Sequence, residues 1–279
     1  MRVKKYSGEL VPFNSNALKH SLHRSGATEQ IVEKVYKDVE AELYDGITTR
    51  ELYESAFRLL CQHRESYAAR YSLKKALRDL GPEGFYFEQW VGRLFANEGY
   101  QTITGQTVQG HAVSHEIDVV AVQGKEMIAI ECKFRNDIEA KISVTTPMYF
   151  MSRANDVKRK KHLFFNKERE FSEGLLVTNA YLTSDSVRFG EYYNLNMLSW
   201  DYPAETSLKL RVDDNGLYPI TCLTNLTEEN KKILLKNQCI AVKDLIDRPS
   251  FLKKLQITEK QHQSIMQEAQ ELVSSLVIT

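Results

Sequence analysis

The stretch HEIDVVAVQGKEMIAIECKF, residues 115–134, constrains the fold more than any other part of this 279-residue chain. Two apolar runs, Ile117 to Val122 and Met127 to Ile130, flank the turn-forming Gln123-Gly124-Lys125 and read as a β-hairpin. Asp118 opens the first strand, while Glu131 and Lys133 close the second. With the turn centred on Gly124, Asp118 stands opposite or diagonal to Ile130 and Glu131, and cross-strand neighbours lie about 5 Å apart at Cβ. Glu131 and Lys133 are two residues apart, so both point to one face of their strand. Two carboxylates and an ammonium thus gather at one end of an apolar hairpin. Such a group is either a solvated ion-pair cluster, worth little to stability, or a site.

The pattern around the hairpin changes twice along the chain. Residues 1–80 open with a short strand pair, RVKKYSGELVPF, turning at Ser7-Gly8, and continue with apolar residues at helical spacing: Leu18 and Leu22, then Ile31, Val35, Val39 and Leu43. The run DGITTREL is a helix start, with Thr48 or Thr49 as N-cap and Glu51 close behind. Gly81-Pro82 punctuates the chain. From 81 to 205 an amphipathic helix carrying Phe87, Trp90, Val91, Leu94 and Phe95 precedes the hairpin. Helix, strand, helix and strand then follow in TTPMYFMSRANDVKRKK, EGLLVTN, SDSVRFGEYYN and LNMLSW. Strands alternating with helices imply a mixed sheet. Residues 206–279 read as short helices led by Thr or Ser caps.

Lysines and arginines balance acids at 37 each, so the global field neither attracts nor repels a polyanion, and any polyanion site has to be a local patch. One such patch runs from Lys133 to Lys167, with nine basic residues against three acids, densest at KRKKH, 158–162. The four cysteines stand apart with no C-x-x-C pair, which argues against a structural zinc or disulfide framework. MRVKKYSGEL has no apolar core for a signal peptide, and no run approaches the roughly 20 apolar residues of a membrane span. The expectation is a cytoplasmic protein without membrane association. His20 and His23, three residues apart, lack acidic or cysteine partners nearby and read as a helix surface.

Phosphodiester cleavage needs a hard cation on the phosphate oxygens, a positioned water, and positive charge where the transition state gains negative charge. Asp118 and Glu131 are natural magnesium ligands, Lys133 can assist the water, and Glu88 on the preceding helix can add a third carboxylate. Glu116, two residues before Asp118, shares its face and is the substitute ligand. Glu88, HEID and IECKF together, with the later TN strand, resemble the PD-(D/E)xK restriction-endonuclease-like fold, in its Mrr-type branch, over roughly 120 residues. One departure is that no proline precedes Asp118. The resemblance implies an endodeoxyribonuclease with magnesium or manganese held by Asp118, Glu131 and the backbone carbonyl of Cys132, with Lys133 catalytic and Glu88 accessory. Arg153, Lys158, Arg159, Lys160 and Lys161 are the expected DNA contacts.

The first 80 residues resemble an ATP-cone through VKKYSGELVPFN, DGITTREL and YAARYSLKKAL, which implies ATP or dATP binding at Val3, Lys4, Lys5, Asn14 and Lys19. Tyr6 and Ala17 depart from that pattern, standing where arginine and lysine are usual. A small helical packing or dimerisation domain is the other reading of this segment. The tail is similar to tandem helix-hairpin-helix domains, although Leu255-Gln256-Ile257-Thr258 replaces the glycine-rich turn, and it suits DNA or protein docking. The expected fold class is therefore α/β multidomain: a mostly helical cone with an N-terminal β-hairpin, an α/β nuclease core, and an all-helical C-terminal domain. DNA, a nucleotide and further copies of the chain are the expected partners. The alternative functions are a nucleotide-responsive DNA-binding regulator and a scaffold, neither cleaving DNA.

Overall fold

The computed structural model describes residues 1–5 and 8–274; Tyr6, and Ser7 of the expected Ser7-Gly8 turn, lie outside the described residues. The chain divides into two compact units, Met1–Leu73 with Ile220–Thr279, and Lys74–Pro219.

The first unit starts with β1 (Arg2–Lys4) and β2 (Leu10–Pro12), antiparallel about Val3↔Val11. Helices α1 (Ser15–His23) and α2 (Glu29–Glu42) follow, and β3 (Ile47–Thr48) then returns parallel to β1. Helix α3 (Thr49–His63) takes Thr48 rather than Thr49 as its N-cap. The Thr48 hydroxyl accepts from the Glu51 amide at 3.1 Å, and the Glu51 carboxylate accepts from the Thr48 amide at 2.9 Å. This reciprocal pair satisfies two amides that a helix start leaves unbonded. With α4 (Glu65–Tyr71) these helices enclose a core that includes Leu22, Val32, Val35 and Leu60.

After α5 (Leu73–Arg78), the second unit is built on a five-stranded sheet. Helix α6 (Phe85–Asn97) leads into β4 (Gln101–Gln109), β5 (Ser114–Gln123) and β6 (Glu126–Lys133), an antiparallel meander. Past the short β7 (Lys141–Ile142) come α7 (Thr145–Val157) and an antiparallel hairpin, β8 (Lys161–Phe164) and β9 (Lys167–Glu170). The chain re-enters the sheet as β10 (Glu173–Thr178), parallel to β6. It then passes β11 (Tyr181–Leu182) and α8 (Ser184–Tyr193), and closes the sheet with β12 (Asn196–Leu198), parallel to β10. The strand order is β12-β10-β6-β5-β4. Helix α9 (Leu208–Asn215) completes the unit, and the buried Trp90 indole donates to the Leu217 carbonyl at 3.1 Å.

Two glycines set the layers. A Cβ on Gly92 of α6 would stand 3.2 Å from Thr104 of β4, and one on Gly174 of β10 would stand 2.9 Å from Ala154 of α7. Thr104 pairs with Val119 and Gly174 with Ala129, positions of opposite parity in the joined strands, so α6 and α7 cover opposite faces. Strand β4 and the β8–β9 hairpin go beyond the sequence reading. Strand β4, QTITGQTVQ, is a polar edge strand whose pairing with β5 skips Gly105. The hairpin turns through Phe165 and Asn166 at φ 50° and 58°, the backbone of a type I′ turn.

The C-terminal helices return to the first unit: a 3₁₀ turn at Ile220–Cys222, α10 (Glu228–Lys236), α11 (Val242–Asp247), a second 3₁₀ segment Pro249–Lys254, and α12 (Glu259–Ser274). Glu268 of α12, only 1% exposed, accepts from the Thr224 amide and hydroxyl at 2.6 and 2.8 Å and from the Asn225 amide and side chain, both at 3.0 Å. Burial pushes its carboxyl above the usual glutamate range, so four donors are what keep it in place. Removing the acceptor strands two half-buried backbone amides. Glu268→Ala is therefore expected to destabilise this unit by about 3 kcal/mol, and Glu268→Gln by less. Chemical denaturation followed by circular dichroism checks this, and an alanine variant as stable as wild type would show that the clamp contributes nothing.

Candidate functional site

The two central strands part company at the charged end of the hairpin. Pairing of β5 with β6 runs from Gln123↔Glu126 to Val119↔Ile130 and stops there. Beyond that point β5 continues only on β4, to Ser114 opposite Gln109, and β6 only on β10, to Lys133 opposite Thr178. Asp118 sits at the split. Its Oδ2 accepts the Cys132 amide at 2.6 Å, taking a donor that the ladder would have used. In an extended strand the N–H and C=O of one residue point to the same edge, so the Cys132 carbonyl faces the same opening. Alternation puts Glu116, Asp118, Glu131 and Lys133 on the face covered by α7.

Glu131 and Lys133 line a cavity of ≈ 160 Å³ with Thr145, Thr146, Tyr149 and Phe150 of α7. The Lys133 ammonium has no hydrogen-bond or ion-pair partner among the described residues. Its backbone is held firmly: the Thr178 hydroxyl donates to the Lys133 carbonyl at 2.5 Å. Asn179 grips Arg135 from both sides, accepting its amide at 2.8 Å and donating to its carbonyl at 2.9 Å. The Thr-Asn pair at the end of β10 therefore fixes Lys133 and the segment just after it, a role that the sequence pattern does not assign.

The carboxylates crowd one another. Burial, then Asp118 and then the partial relief of Arg153 leave Glu131 pushed up to about 7. Glu88, in the first turn of α6, is also pushed up to about 7 by burial and by Asp118, Glu116 and Glu131. Asp118 is raised too, chiefly by burial, against the opposing hydrogen bond from Cys132. Carboxyl groups held this far above their ordinary range signal unmet demand for positive charge. Among the described residues no three His, Cys, Asp or Glu side chains enclose a metal position by themselves. Two carboxylates and one backbone carbonyl, with waters, are nonetheless the oxygen set that magnesium takes. The donor chemistry fits a divalent cation.

The expected phosphate contacts are distributed differently. Arg153, expected to face DNA, turns inward, with Nη1 2.6 Å from Glu131 Oε2 and the two side chains only 15% and 16% exposed. It also donates to the Glu116 carbonyl and lies over the Tyr149 ring. A half-buried carboxylate cluster recruits the nearest guanidinium, and α7 supplies it. Lys160 is spent on the Gly110 carbonyl at 2.8 Å, and the Lys158 carbonyl meets His111. Arg159 and Lys161 are exposed. Asp156 of α7 ties down the β4–β5 turn through the Ala112 and Val113 amides and the His115 ring, which holds its carboxyl down at about 2.

In the first unit Val3 is buried in β1 and Lys4 is exposed. Lys5 pairs with Glu9 at 3.2 Å, and Asn14 caps α1 through the Ala17 amide. Lys19 meets Glu33 at 2.5 Å beneath the Tyr36 ring. Of the five expected nucleotide contacts, Lys4 is the side chain left exposed and without a hydrogen-bond or ion-pair partner among the described residues.

A mixed sheet whose central hairpin opens at an Asp, Glu-x-Lys constellation defines a restriction-endonuclease type of domain. Comparison with family models agrees: a restriction endonuclease model matches residues 81–202, an ATP cone domain model residues 1–80, and an AF1548-like C-terminal model residues 218–273. The chain thus carries an ATP-cone domain followed by a restriction-endonuclease domain and an AF1548-like C-terminal region. An uncharacterised protein of Archaeoglobus fulgidus is 27% identical over 184 residues, covering 66% of this chain and 99% of its own length. The crystal structure of a protein of unknown function, AF1548, is similar at a TM-score of 0.55 and 25% identity, over 68% of this chain and 97% of that one.

Crowding makes a pH prediction. A carboxyl raised in the folded state binds protons more readily there than when unfolded. Stability of the metal-free protein then falls as pH rises from the ordinary value of 4.5 to about 7, and levels off above. Glu88→Gln removes one such group, so its melting temperature should match wild type near pH 4.5 and exceed it by a few degrees at pH 8. Melting below wild type at pH 8 would rule out a carboxyl raised by burial, with repulsion from Asp118, Glu116 and Glu131 added to it.

Proposed function

We propose that the protein is a metal-dependent endodeoxyribonuclease whose central domain hydrolyses DNA phosphodiester bonds, with ATP or dATP acting through the N-terminal domain. One observation carries this reading: Asp118, Glu131 and the free ammonium of Lys133 converge where β5 and β6 separate, beside carboxyl groups that lack sufficient counter-charge. Asp118, Glu131 and the Cys132 carbonyl would hold magnesium or manganese, which when bound supplies charge on the phosphate oxygens and acidifies water.

The chain's own residues do the rest. Lys133, seated in the cavity, stabilises the negative charge that builds on phosphorus-bound oxygens and orients the attacking water. Thr178 and Asn179 keep that lysine in register. Glu88, whose carboxyl is pushed up to about 7, exchanges a proton with solvent or a bound water in this reading. Arg159 and Lys161 offer exposed charge to the DNA backbone, and Lys4 to a nucleotide phosphate. Residues 81–205 form the nuclease domain in this reading, the flanks regulate or dock it, and copies of the chain associate on DNA.

Supercoiled plasmid incubated with magnesium or manganese, with and without ATP or dATP, provides the test. Wild type is expected to nick it in a metal-dependent way, and Lys133→Ala to lose at least about a hundredfold in rate while keeping its melting temperature. Equal cleavage by the variant would remove Lys133 from the chemistry. Metal and DNA binding without cleavage of plasmid, linear or single-stranded DNA would favour a nucleotide-responsive DNA-binding protein instead.

A further inference from the structure

The contact between Arg153 and Glu131 has a consequence for how the site fills. The guanidinium lies 2.6 Å from one Glu131 oxygen, inside the face that carries Lys133, and its second amino group rests on the Glu116 carbonyl. In effect the protein supplies its own cation to the carboxylate that also fits a metal. A divalent cation seated on Glu131 would bring two further positive charges beside the guanidinium, in a half-buried setting where charges are poorly screened. Arginine in turn is the side chain best matched to phosphate, through two parallel hydrogen bonds.

The local construction leaves Arg153 a way out. Its neighbour Tyr149, over whose ring it lies, is 65% exposed and lines the cavity together with Thr145 and Thr146, at the start of α7. Arg153 has a long stem rooted on a helix that Asp156 anchors one turn further on, so the side chain can swing while its base stays fixed.

We infer that Arg153 is an exchangeable counter-ion. It neutralises Glu131 while no metal is bound, and it passes to a DNA phosphate oxygen when a divalent cation takes that carboxylate. This inference rests on the reading of Asp118 and Glu131 as metal-holding residues. It makes metal and DNA binding mutually reinforcing, because each removes the competitor of the other and coupling of two binding equilibria is reciprocal.

Calorimetric titration of the full chain with Ca²⁺, for wild type, Glu131→Gln and Arg153→Met, tests the first half. Binding of a fluorescent duplex over a salt series, in Ca²⁺ and in EDTA, tests the second. The expectation is that Glu131→Gln weakens Ca²⁺ binding at least about tenfold and Arg153→Met tightens it about tenfold. The slope of log affinity against log salt should shrink by about one for Arg153→Met in Ca²⁺, and not at all in EDTA. The slope separates exchange from simple relief of repulsion, since an arginine that stays on Glu131 contributes no phosphate contact in either condition.

An unchanged slope in Ca²⁺, or unchanged metal affinity in Arg153→Met alongside weakened Glu131→Gln, overturns the inference while leaving the metal reading intact. No Ca²⁺ binding to wild type, or equal binding by Glu131→Gln, overturns the metal reading and the inference with it. If Arg153→Met does not fold, Arg153→Lys replaces it. A single ammonium grips Glu131 less well, so Ca²⁺ should bind more tightly than to wild type, with the slope preserved; wild-type metal affinity in that variant also overturns the exchange.

Discussion

A single hydrogen bond, from the Cys132 amide to Asp118 Oδ2 at 2.6 Å, lets two strands of a tightly paired sheet separate without stranding a buried donor. Everything upstream of it is an apolar ladder. Val119, Val120, Ala121 and Val122 face Ile130, Ala129, Ile128 and Met127 in register, and all eight side chains are buried. Such a ladder would continue if its next residues were apolar. It stops because Asp118 replaces a backbone acceptor with a side-chain one, in a charge-assisted bond worth about 2 kcal/mol. The opening that results is lined by carboxylate and carbonyl oxygen, which is a surface that water alone serves poorly. Strand divergence and the exposure of carboxylate and carbonyl oxygen at the split are thus two consequences of one residue.

The cost of that arrangement is visible in the titration of its neighbours. Glu88 and Glu131 are both held near 7, and Asp118 above its ordinary range. No arrangement selected for stability alone would pack three acids so closely, and destabilised charge of this kind is a recurring feature of functional sites. The scaffold compensates from α7. The helix brings Arg153 to Glu131, and Asp156 on the same helix pins the β4–β5 turn through two amides and His115. Gly174 allows α7 to lie close enough for both contacts, since a methyl group there would collide with Ala154.

Much of this was legible in the sequence because it is local. The apolar runs on either side of Gly124, the two-residue spacing of Glu131 and Lys133, and the Thr48 to Glu51 capping pair all follow from chain neighbours. So do the C-terminal helices. Elements that depend on distant partners were harder to read. Strand β4 has no apolar alternation strong enough to mark it, and becomes a strand because β5 offers it an edge. The inward turn of Arg153 cannot be seen from KRKK-type charge density, because it answers an acid 22 residues away in sequence. Likewise the TN pair reads only as a strand end until Thr178 is found holding the Lys133 carbonyl 45 residues back. The union of the N-terminal domain with the C-terminal helices in one unit, through Arg64–Glu271 and Asn225–Glu65, leaves no local trace at all.

Zero net charge takes on a definite meaning once the pairs are in view. Lys5 is matched by Glu9, Lys19 by Glu33 and Arg153 by Glu131, and these are three of the cations that a phosphate would be expected to seek. A polyanion approaching them meets no bare positive field. It has to replace a carboxylate already in place, and the net gain is the difference between two similar charge-assisted bonds. Binding of that kind is weak unless something else removes the carboxylate's need for its partner. At Glu131 a divalent cation could do so, and neighbouring acids there raise the demand for one. On the proposed reading the central site would supply what the overall charge of the chain withholds: positive charge exposed conditionally, where and when a metal is bound.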